Sequence, residues 1–281
     1  MEDVLEDHAI IIPPKLEQIN LPKRKYKYII DSRDRNTDRY PNPARYDINL
    51  DEEITDVLSI ELLGSDFKFN TNNVTRNNCI FHMNELEYVI PCGLYTGEEI
   101  AEAIKQLTSI DVKYHSITHK ITIISNEGCE LNFQNEIDKK LDDVFVKTYN
   151  DKSIARLLGF EAKTYTLGAG EHIEAPYTVD LEPDSYITMY LQKAKNYLSQ
   201  NPKANHAYAI ITRNDTRTQG INIYNGTTVK YFNPPIPSLK NLSFKFFDYD
   251  GNLYDFENKN HRMELLFTCF RQTRCYNEIF K

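Results

Sequence analysis

The sequence lacks the residues and motifs that mark several common classes of protein. It contains no Trp, only 10 Gly in 281 residues, and five Cys without a C-x-x-C pair. Scattered, odd-numbered Cys give neither a disulfide framework nor the spacing of a zinc module, and they favour a reducing compartment. The short signatures of serine hydrolases, zincins, P-loop enzymes and dinucleotide-binding proteins are also missing. These absences weigh against an enzyme.

The net charge weighs against nucleic acid as a partner, and the first residues weigh against a secretory signal or a membrane span. Lys and Arg number 33 against 41 Asp and Glu, so the net charge is −8 and the chain as a whole does not attract nucleic-acid phosphates. The sequence starts MEDVLEDHAIIIPP, which is acidic where a secretory signal carries a basic segment, and its apolar run from Ala9 to Ile12 is too short to span a bilayer. We therefore expect synthesis in the cytosol, no membrane span and no direct binding of nucleic acid.

What the chain does contain favours β structure. Its 19 Tyr and 14 Phe suit strands, and apolar residues alternate with polar ones along many short runs. Tyr46, Ile48 and Leu50 share one face of such a run. The run from Met263 to Cys269 is apolar on nearly both faces, which predicts a strand inside a sandwich. Asn225-Gly226 and Asp250-Gly251 each separate two alternating runs and predict tight hairpins.

One region departs from this pattern and predicts an insertion. Thr96-Gly97-Glu98-Glu99 is a capping box, and Ile100, Ala103, Ile104 and Leu107 follow it at helical spacing. We therefore predict a mainly β protein, an antiparallel single jelly-roll sandwich with a small α/β insertion. The expected division is an N-terminal arm at 1–24, the jelly roll at 25–91 and 162–281, and the insertion at 92–161.

A basic patch precedes the first predicted strand. It consists of Lys23, Arg24, Lys25 and Lys27. One interpretation is that these residues are simply exposed to solvent at the start of the strand. The other is that they dock on an acidic neighbour. The arm before it contains Pro13, Pro14 and Pro22 and shows no sustained periodicity, so we expect it to become ordered only against a partner.

The loop after the first strand interleaves acidic and basic residues. Clustered carboxylates can hold Ca²⁺ through oxygen ligands, but no EF-hand spacing is present. A loop whose charges pair internally is the favoured reading. The residues concerned are Asp31, Asp34 and Asp38 with Arg33, Arg35 and Arg39.

Three His residues are candidates for metal binding or catalysis. His115 and His119 lie four apart, but their surroundings predict a strand and a turn, so a metal pair is the weaker reading. His261 with Asp255 suggests acid–base catalysis, yet no nucleophile or positioning group accompanies them. A His at a strand edge is the favoured reading. No catalytic residue, metal or cofactor is predicted.

An ordered series of motifs resembles the penton-type and minor capsid proteins of nucleocytoplasmic large DNA viruses. No single motif is specific, and the resemblance depends on their order between about residues 26 and 270. The series is Asp31-Ser32-Arg33-Asp34-Arg35-Asn36, Tyr40-Pro41-Asn42-Pro43-x-x-Tyr46, Ile90-Pro91-x-Gly93-x-Tyr95-Thr96, Ile154 to Leu157-Leu158-Gly159-Phe160, Tyr186-Ile187, Leu239-x-x-Leu242, Asp248-x-Asp250-Gly251, His261 and Met263-Glu264-Leu265.

The resemblance implies a structural virion protein without catalytic residues. It implies a homopentamer at the five-fold vertex of an icosahedral capsid, beside a double-jelly-roll major capsid protein and other minor capsid proteins. Inter-subunit contacts are expected at Lys23, Arg24, Lys25, Arg33, Arg35 and Arg39. Three alternatives stay open: a minor or cement protein under the shell, a carbohydrate-binding fibre module with Tyr-rich loops such as Tyr224 to Tyr231, and a cupin-type enzyme, whose His/Glu metal set is not found.

Overall fold

The computed structural model describes residues 22–134, 136–141, 144–149, 152–200, 205–213, 221–224 and 228–271. The prediction of a mainly β, antiparallel, jelly-roll-like fold is confirmed in this part of the chain, which contains one short helix. Within the same residues no helix is long and apolar enough to cross a membrane. Most of the expected arm lies outside the described residues, and its last two residues belong to the first strand.

The described chain contains one helix and sixteen strands. A 3-10 turn at Ser32–Asp34 follows the first strand. The elements are β1 (Lys23–Asp31), β2 (Arg45–Lys68), β3 (Ile80–Met83), β4 (Leu86–Val89), α1 (Gly97–Thr108), β5 (Asp111–His115), β6 (Lys120–Ile124), β7 (Cys129–Asn132), β8 (Glu136–Leu141), β9 (Val144–Tyr149), β10 (Thr164–Leu167), β11 (His172–Glu174), β12 (Tyr186–Leu191), β13 (Ala209–Thr212), β14 (Ile221–Tyr224), β15 (Thr228–Phe247) and β16 (Arg262–Phe270).

The principal sheet has seven strands, and two long strands hold it together. Its order is β1-β16-β2-β15-β12-β13, with β14 also paired to β2. The register between β2 and β15 shifts at Tyr231/Ile236 and at Leu239/Asn241. Such irregularities bend a strand and increase its twist. The long strands therefore run through both layers, and the sandwich is one folded, jelly-roll-like sheet rather than two separately hydrogen-bonded sheets.

The core of this sheet is aromatic and forms where its two halves face each other. Phe67 lies near the end of β2 and Phe246 near the end of β15, and their ring centroids are 5.3 Å apart. Both side chains are fully buried. The apolar run predicted to lie inside the sandwich is β16, which pairs with β1 on one side and with β2 on the other. That prediction is confirmed.

A second core lies around α1. The capping box is present, because the Thr96 hydroxyl accepts from the Glu99 amide and the Glu99 carboxylate accepts from the Thr96 amide. The helix buries Ile100, Ala101 and Ile104, whereas the predicted face included Leu107, which is 41% exposed. The buried face of α1 is thus rotated slightly from the predicted face.

The second core draws on a longer stretch of chain than the predicted insertion. It includes Val74 and Phe81 before residue 92 and Tyr165, Leu167 and Ala175 after residue 161. Strands β3, β4, β7 and β10 form one small sheet, and β5, β6 and β11 form another. The division at residues 91/92 and 161/162 stays a prediction, and the packing places residues from both sides of each boundary in the second core.

The two predicted hairpin turns have different outcomes. Asp250-Gly251 forms a tight turn in which the Gly251 amide donates to the Asp248 carbonyl, and Phe247 bridges to Leu253. The Asn225-Gly226 hairpin is wrong, because the described strands β14 and β15 do not pair with each other. Both run antiparallel along β2, with Tyr224 opposite Ser65 and Thr228 opposite Leu62. Residues 225–227, part of the proposed Tyr-rich glycan loop, lie outside the described residues.

Gly159 ends the turn at residues 153–159, where its left-handed backbone conformation is required. The Gly159 amide donates to the Arg156 carbonyl and the Phe160 amide donates to the Ala155 carbonyl, which is the pattern of a Schellman motif. Its φ is +78°, and a Cβ would lie 2.3 Å from the carbonyl oxygen of Tyr177.

Gly159→Ala is therefore expected to lower the free energy of unfolding by more than about 2 kcal/mol. Gly170 is the matched control, since its φ is +77° but no other atom lies within 4 Å of the place that a Cβ would occupy. Gly170→Ala should cost only the backbone term of about 1 kcal/mol. Urea denaturation of both variants measures the difference, and equal losses would contradict the proposed steric contact.

Candidate interaction surface

The predicted basic patch lies on the outermost strand of the principal sheet. β1 pairs with β16 on one side and has no strand on its other side among the described residues. We call Lys23, Arg24, Lys25 and Lys27 the basic edge, and all four side chains are exposed. Lys27 lies 3.5 Å from Glu264, and Arg24 donates to the Tyr26 hydroxyl at 2.8 Å. The basic edge is thus open to a partner.

Arg33 and Arg39 are exposed residues of the following loop. Arg33 donates from Nε and Nη2 to the Asp31 carboxylate at 3.0 and 2.5 Å, and these hydrogen bonds lower the pKa of Asp31. Arg39 stacks over the Tyr40 ring at 5.1 Å. The prediction of internal pairing is confirmed for Asp31 and Arg33. Within the described ranges no three His, Cys, Asp or Glu side chains are grouped so that they could hold a metal ion.

Arg35 differs from the other predicted contact residues because its guanidinium points into the loop. It donates to the carbonyl oxygens of Ser32 at 2.5 Å, Tyr40 at 2.9 Å and Pro41 at 3.2 Å, and to Asn260 Oδ1 at 2.7 Å. A planar guanidinium with five donors suits this arrangement. Arg35 therefore stabilises the loop and joins it to the residues before β16.

His261 continues this connection between distant parts of the chain. The His261 amide donates to Ser32 Oγ and the Ser32 amide donates to the His261 carbonyl, each at 2.9 Å. Its Nε2 lies 3.0 Å from the Tyr46 hydroxyl. The predicted His at a strand edge is thus a buried linker between the loop after β1, strand β2 and the start of β16.

The imidazole of His261 is held in an aromatic environment. Its ring centroid lies 4.8 Å from that of Phe67 and 4.7 Å from those of Phe246 and Phe256. Burial lowers the pKa of His261 to about 3, and the positive charge of Arg35 contributes in the same direction. Asp255 does not contact it and instead lies 3.9 Å from Arg76. The pair suggested for acid–base catalysis is therefore not brought together.

His115 and His119 also have separate partners. They lie at the two ends of the turn between β5 and β6, where the His119 amide donates to the His115 carbonyl. His115 Nε2 lies 3.0 Å from the Thr122 hydroxyl, and His119 Nδ1 lies 2.6 Å from the Tyr114 hydroxyl. Both imidazoles take part in local hydrogen bonds, as expected for a hairpin.

Sequence reasoning missed an acidic cleft between the two cores. The cleft has a volume of about 250 Å³, and it brings together Asn72–Asn78, Arg156, 180–184 and 248–252. Arg156 lies 3.7 Å from Asp180 and 3.8 Å from Asp250, while Asn77 donates to Asp248 at 2.9 Å. These segments are remote in sequence, so no local pattern could have revealed their proximity.

Asp184 is the most perturbed carboxyl group of the cleft. Asp184 is exposed to solvent, but neighbouring protein atoms desolvate its carboxyl group in part, and the nearby charges of Asp248 and Asp250 repel it. Together they raise the pKa of Asp184 to about 6. Because the folded pKa lies above the unfolded one, the protonated form is favoured by folding, and this contribution to stability is lost as the pH rises through about 6.

Asp184→Asn is expected to raise the melting temperature at pH 8 and to leave it nearly unchanged at pH 4. The amide keeps the shape of the side chain while removing the repelled charge, which the wild-type residue already lacks at low pH. Differential scanning fluorimetry at both pH values measures this. Asp38→Asn, on the exposed loop, is the control. An equal effect of Asp184→Asn at both pH values would contradict the assignment of the shift.

Comparisons with known proteins give two likenesses. Residues 18–126 match the model of a family of unknown function, DUF5901. The fold is similar to the crystal structure of the mavirus penton protein, with 12% sequence identity, a TM-score of 0.37, and 88% of this chain and 99% of that chain covered. No curated protein matches the sequence significantly.

Proposed function

We propose that this protein is a structural subunit of an icosahedral virus capsid, and specifically the penton that closes the five-fold vertex. It acts as a homopentamer in the virion, beside a double-jelly-roll major capsid protein and other minor capsid proteins. It needs no catalytic residue and no cofactor. The minor capsid position under the shell is the alternative within the same class.

The observation that carries this proposal is that the two ends of the capsid-like motif series meet in the fold. Ser32, in the first motif, exchanges two hydrogen bonds with His261, near the last. Tyr46, which ends the Tyr-Pro-Asn-Pro motif, contacts the same His261. Residues that resemble the capsid family in order along the chain thus join into one buried framework.

The middle motifs also form framework rather than an open site. The Asn73 side chain accepts from the Tyr95 amide and donates to the Tyr95 carbonyl, which fixes the chain before α1. Ile154 is fully buried, and its amide donates to the Ile80 carbonyl. Motif residues that are used for hydrogen bonding and packing support a structural role, because a rigid fold with repeated contacts is what a capsomer requires.

The oligomer can be tested on the protein recovered from gently dissociated particles. Native mass spectrometry should find a complex of five copies of this chain. Isolated recombinant protein can be monomeric, because contacts in a ring can be weak before the shell raises the local concentration. Recovery from particles as a monomer, or bound only to the inner face of hexameric capsomers, would contradict the penton assignment.

A further inference from the structure

The outer side of β1 is an unused hydrogen-bonding edge. All nine residues of β1 pair in register with β16, from Lys23 opposite Phe270 to Asp31 opposite Arg262. In an antiparallel pair, alternate residues direct their N–H and C=O groups away from the partner strand. Such an edge is a template on which another extended segment can pair.

The charge of this edge selects what can pair with it. Lys23, Lys25 and Lys27 lie on one face of β1, and Arg24 lies on the other. Glu264 is the one acidic group within ion-pair distance of them among the described residues. Like charges opposite each other disfavour strand pairing, so two copies of this edge repel, whereas an acidic strand is attracted.

The chain contains an acidic segment of suitable pattern at residues 1–12. It carries Glu2, Asp3, Glu6 and Asp7, has no Lys or Arg, and includes Val4 and Leu5 between the acids. In an extended segment Glu2 and Glu6 lie on one face, four residues apart, which is also the separation of Lys23 and Lys27 on β1. The four acids therefore match the four cations of the basic edge in number, and in an extended segment two of them lie on each face.

The described chain follows β16 from the start of β1. The Arg271 amide, just after β16, donates to the Pro22 carbonyl at 2.8 Å. Pairing with β16 thus continues up to Pro22, and at that point the chain still runs along the axis of β1 rather than turning back beside it. The 21 residues before it can extend up to about 70 Å. This reach is sufficient for an adjacent subunit.

We propose that residues 1–12 of one copy add as a strand to the basic edge of β1 in a neighbouring copy. This inference rests on the proposed ring, because a ring places an identical edge beside every arm. The partner of Lys23, Arg24, Lys25 and Lys27 is then an acidic extended segment from another copy of this chain. The contact links subunits head to tail, as a closed ring requires.

Zero-length carbodiimide crosslinking tests this contact directly, since the reagent joins carboxylates to amines that touch. Pentamers are assembled from equal amounts of isotopically light and heavy full-length chain, sized by sedimentation, crosslinked and digested. The expected result is amide links between acids of residues 1–12 and Lys23, Lys25 or Lys27. In about half of them one peptide should be light and the other heavy, since random mixing pairs unlike copies that often.

Charge variants provide the controls. Lys23→Glu/Lys25→Glu keeps the Lys27 amine and should reduce the links to Lys27 at least tenfold. Lys68→Glu/Lys240→Glu changes two exposed lysines elsewhere on the sheet and should leave the links to Lys27 unchanged. Adding Glu2→Lys, Asp3→Lys, Glu6→Lys and Asp7→Lys to the first variant should restore links of reversed polarity.

Each outcome separates the contact from the oligomer. Rings without arm links, or with links only inside one copy, would overturn the arm contact and leave the penton proposal standing. Mixed links in a complex that is not five-fold would support the contact and contradict the penton proposal. The absence of both the rings and the arm links would contradict both proposals.

Discussion

Arg35→Ala is expected to lower the free energy of unfolding by about 3 kcal/mol, because it removes a charged donor from several acceptors at once. Three of them are carbonyl oxygens of the loop between β1 and β2, and the fourth is the Asn260 side chain. Ser32 is completely buried, so water cannot easily replace the lost donor there. Urea denaturation monitored by circular dichroism measures the loss.

Two further variants show whether geometry or charge is responsible. Arg35→Lys keeps the charge but not the planar fork, and it should recover less than half of the loss. Arg33→Ala, two residues away, removes an exposed guanidinium that pairs with Asp31, and its stability should stay close to that of the wild type. Equal losses for Arg33→Ala and Arg35→Ala would contradict the framework role of Arg35.

Acid should destabilise the protein through His261. Its pKa is about 3 in the fold and about 6.5 when unfolded, so between these values the unfolded state binds more protons. Stability is therefore complete above about pH 6.5 and is lost as the pH falls towards 3. Between pH 7 and pH 5 the loss from this residue should be about 2 kcal/mol.

His261→Gln isolates this contribution, because the amide can still bond to the Tyr46 hydroxyl but does not titrate. The variant is expected to be less stable at neutral pH, yet its stability should change less than that of the wild type between pH 7 and pH 5. Asp31 and Arg35 are the charged groups that influence His261, and both are kept. The opposite contribution of Asp184 is present in both proteins and cancels. Parallel pH profiles would contradict a neutral, buried His261.

Local sequence patterns correctly predicted the elements that depend only on residues close together in the chain. Three such features are present: the alternation in β16, the capping box before α1 and the Asp250-Gly251 turn. Each of them depends on residues that are at most a few positions apart. Residues 177–181 form no strand, although they contain alternating apolar residues. There the Val179 amide donates to the His119 carbonyl and the Asp180 amide to the Leu157 carbonyl, so these bonds go to two separate loops and form no ladder.

Features that depend on distant parts of the chain could not be read locally. Asn225-Gly226 has the composition of a hairpin turn, but β2 offers one long partner to both β14 and β15, and this tertiary pairing overrides the local preference. The basic edge is visible in the sequence as a charge run, yet only the strand order shows that it lies at an open edge. The burial of His261 depends on Phe67, Phe246 and Phe256, which come from three separate segments.

A reconstruction of the icosahedral particle tests the penton assignment most directly. We expect density for this chain at the five-fold vertices, one copy in each segment of the ring, with the folded sheets side by side. An extra strand of density beside β1, continuous with the arm of the adjacent copy, is expected in the same map. Density for the chain only between hexameric capsomers on the inner face of the shell would contradict the penton assignment.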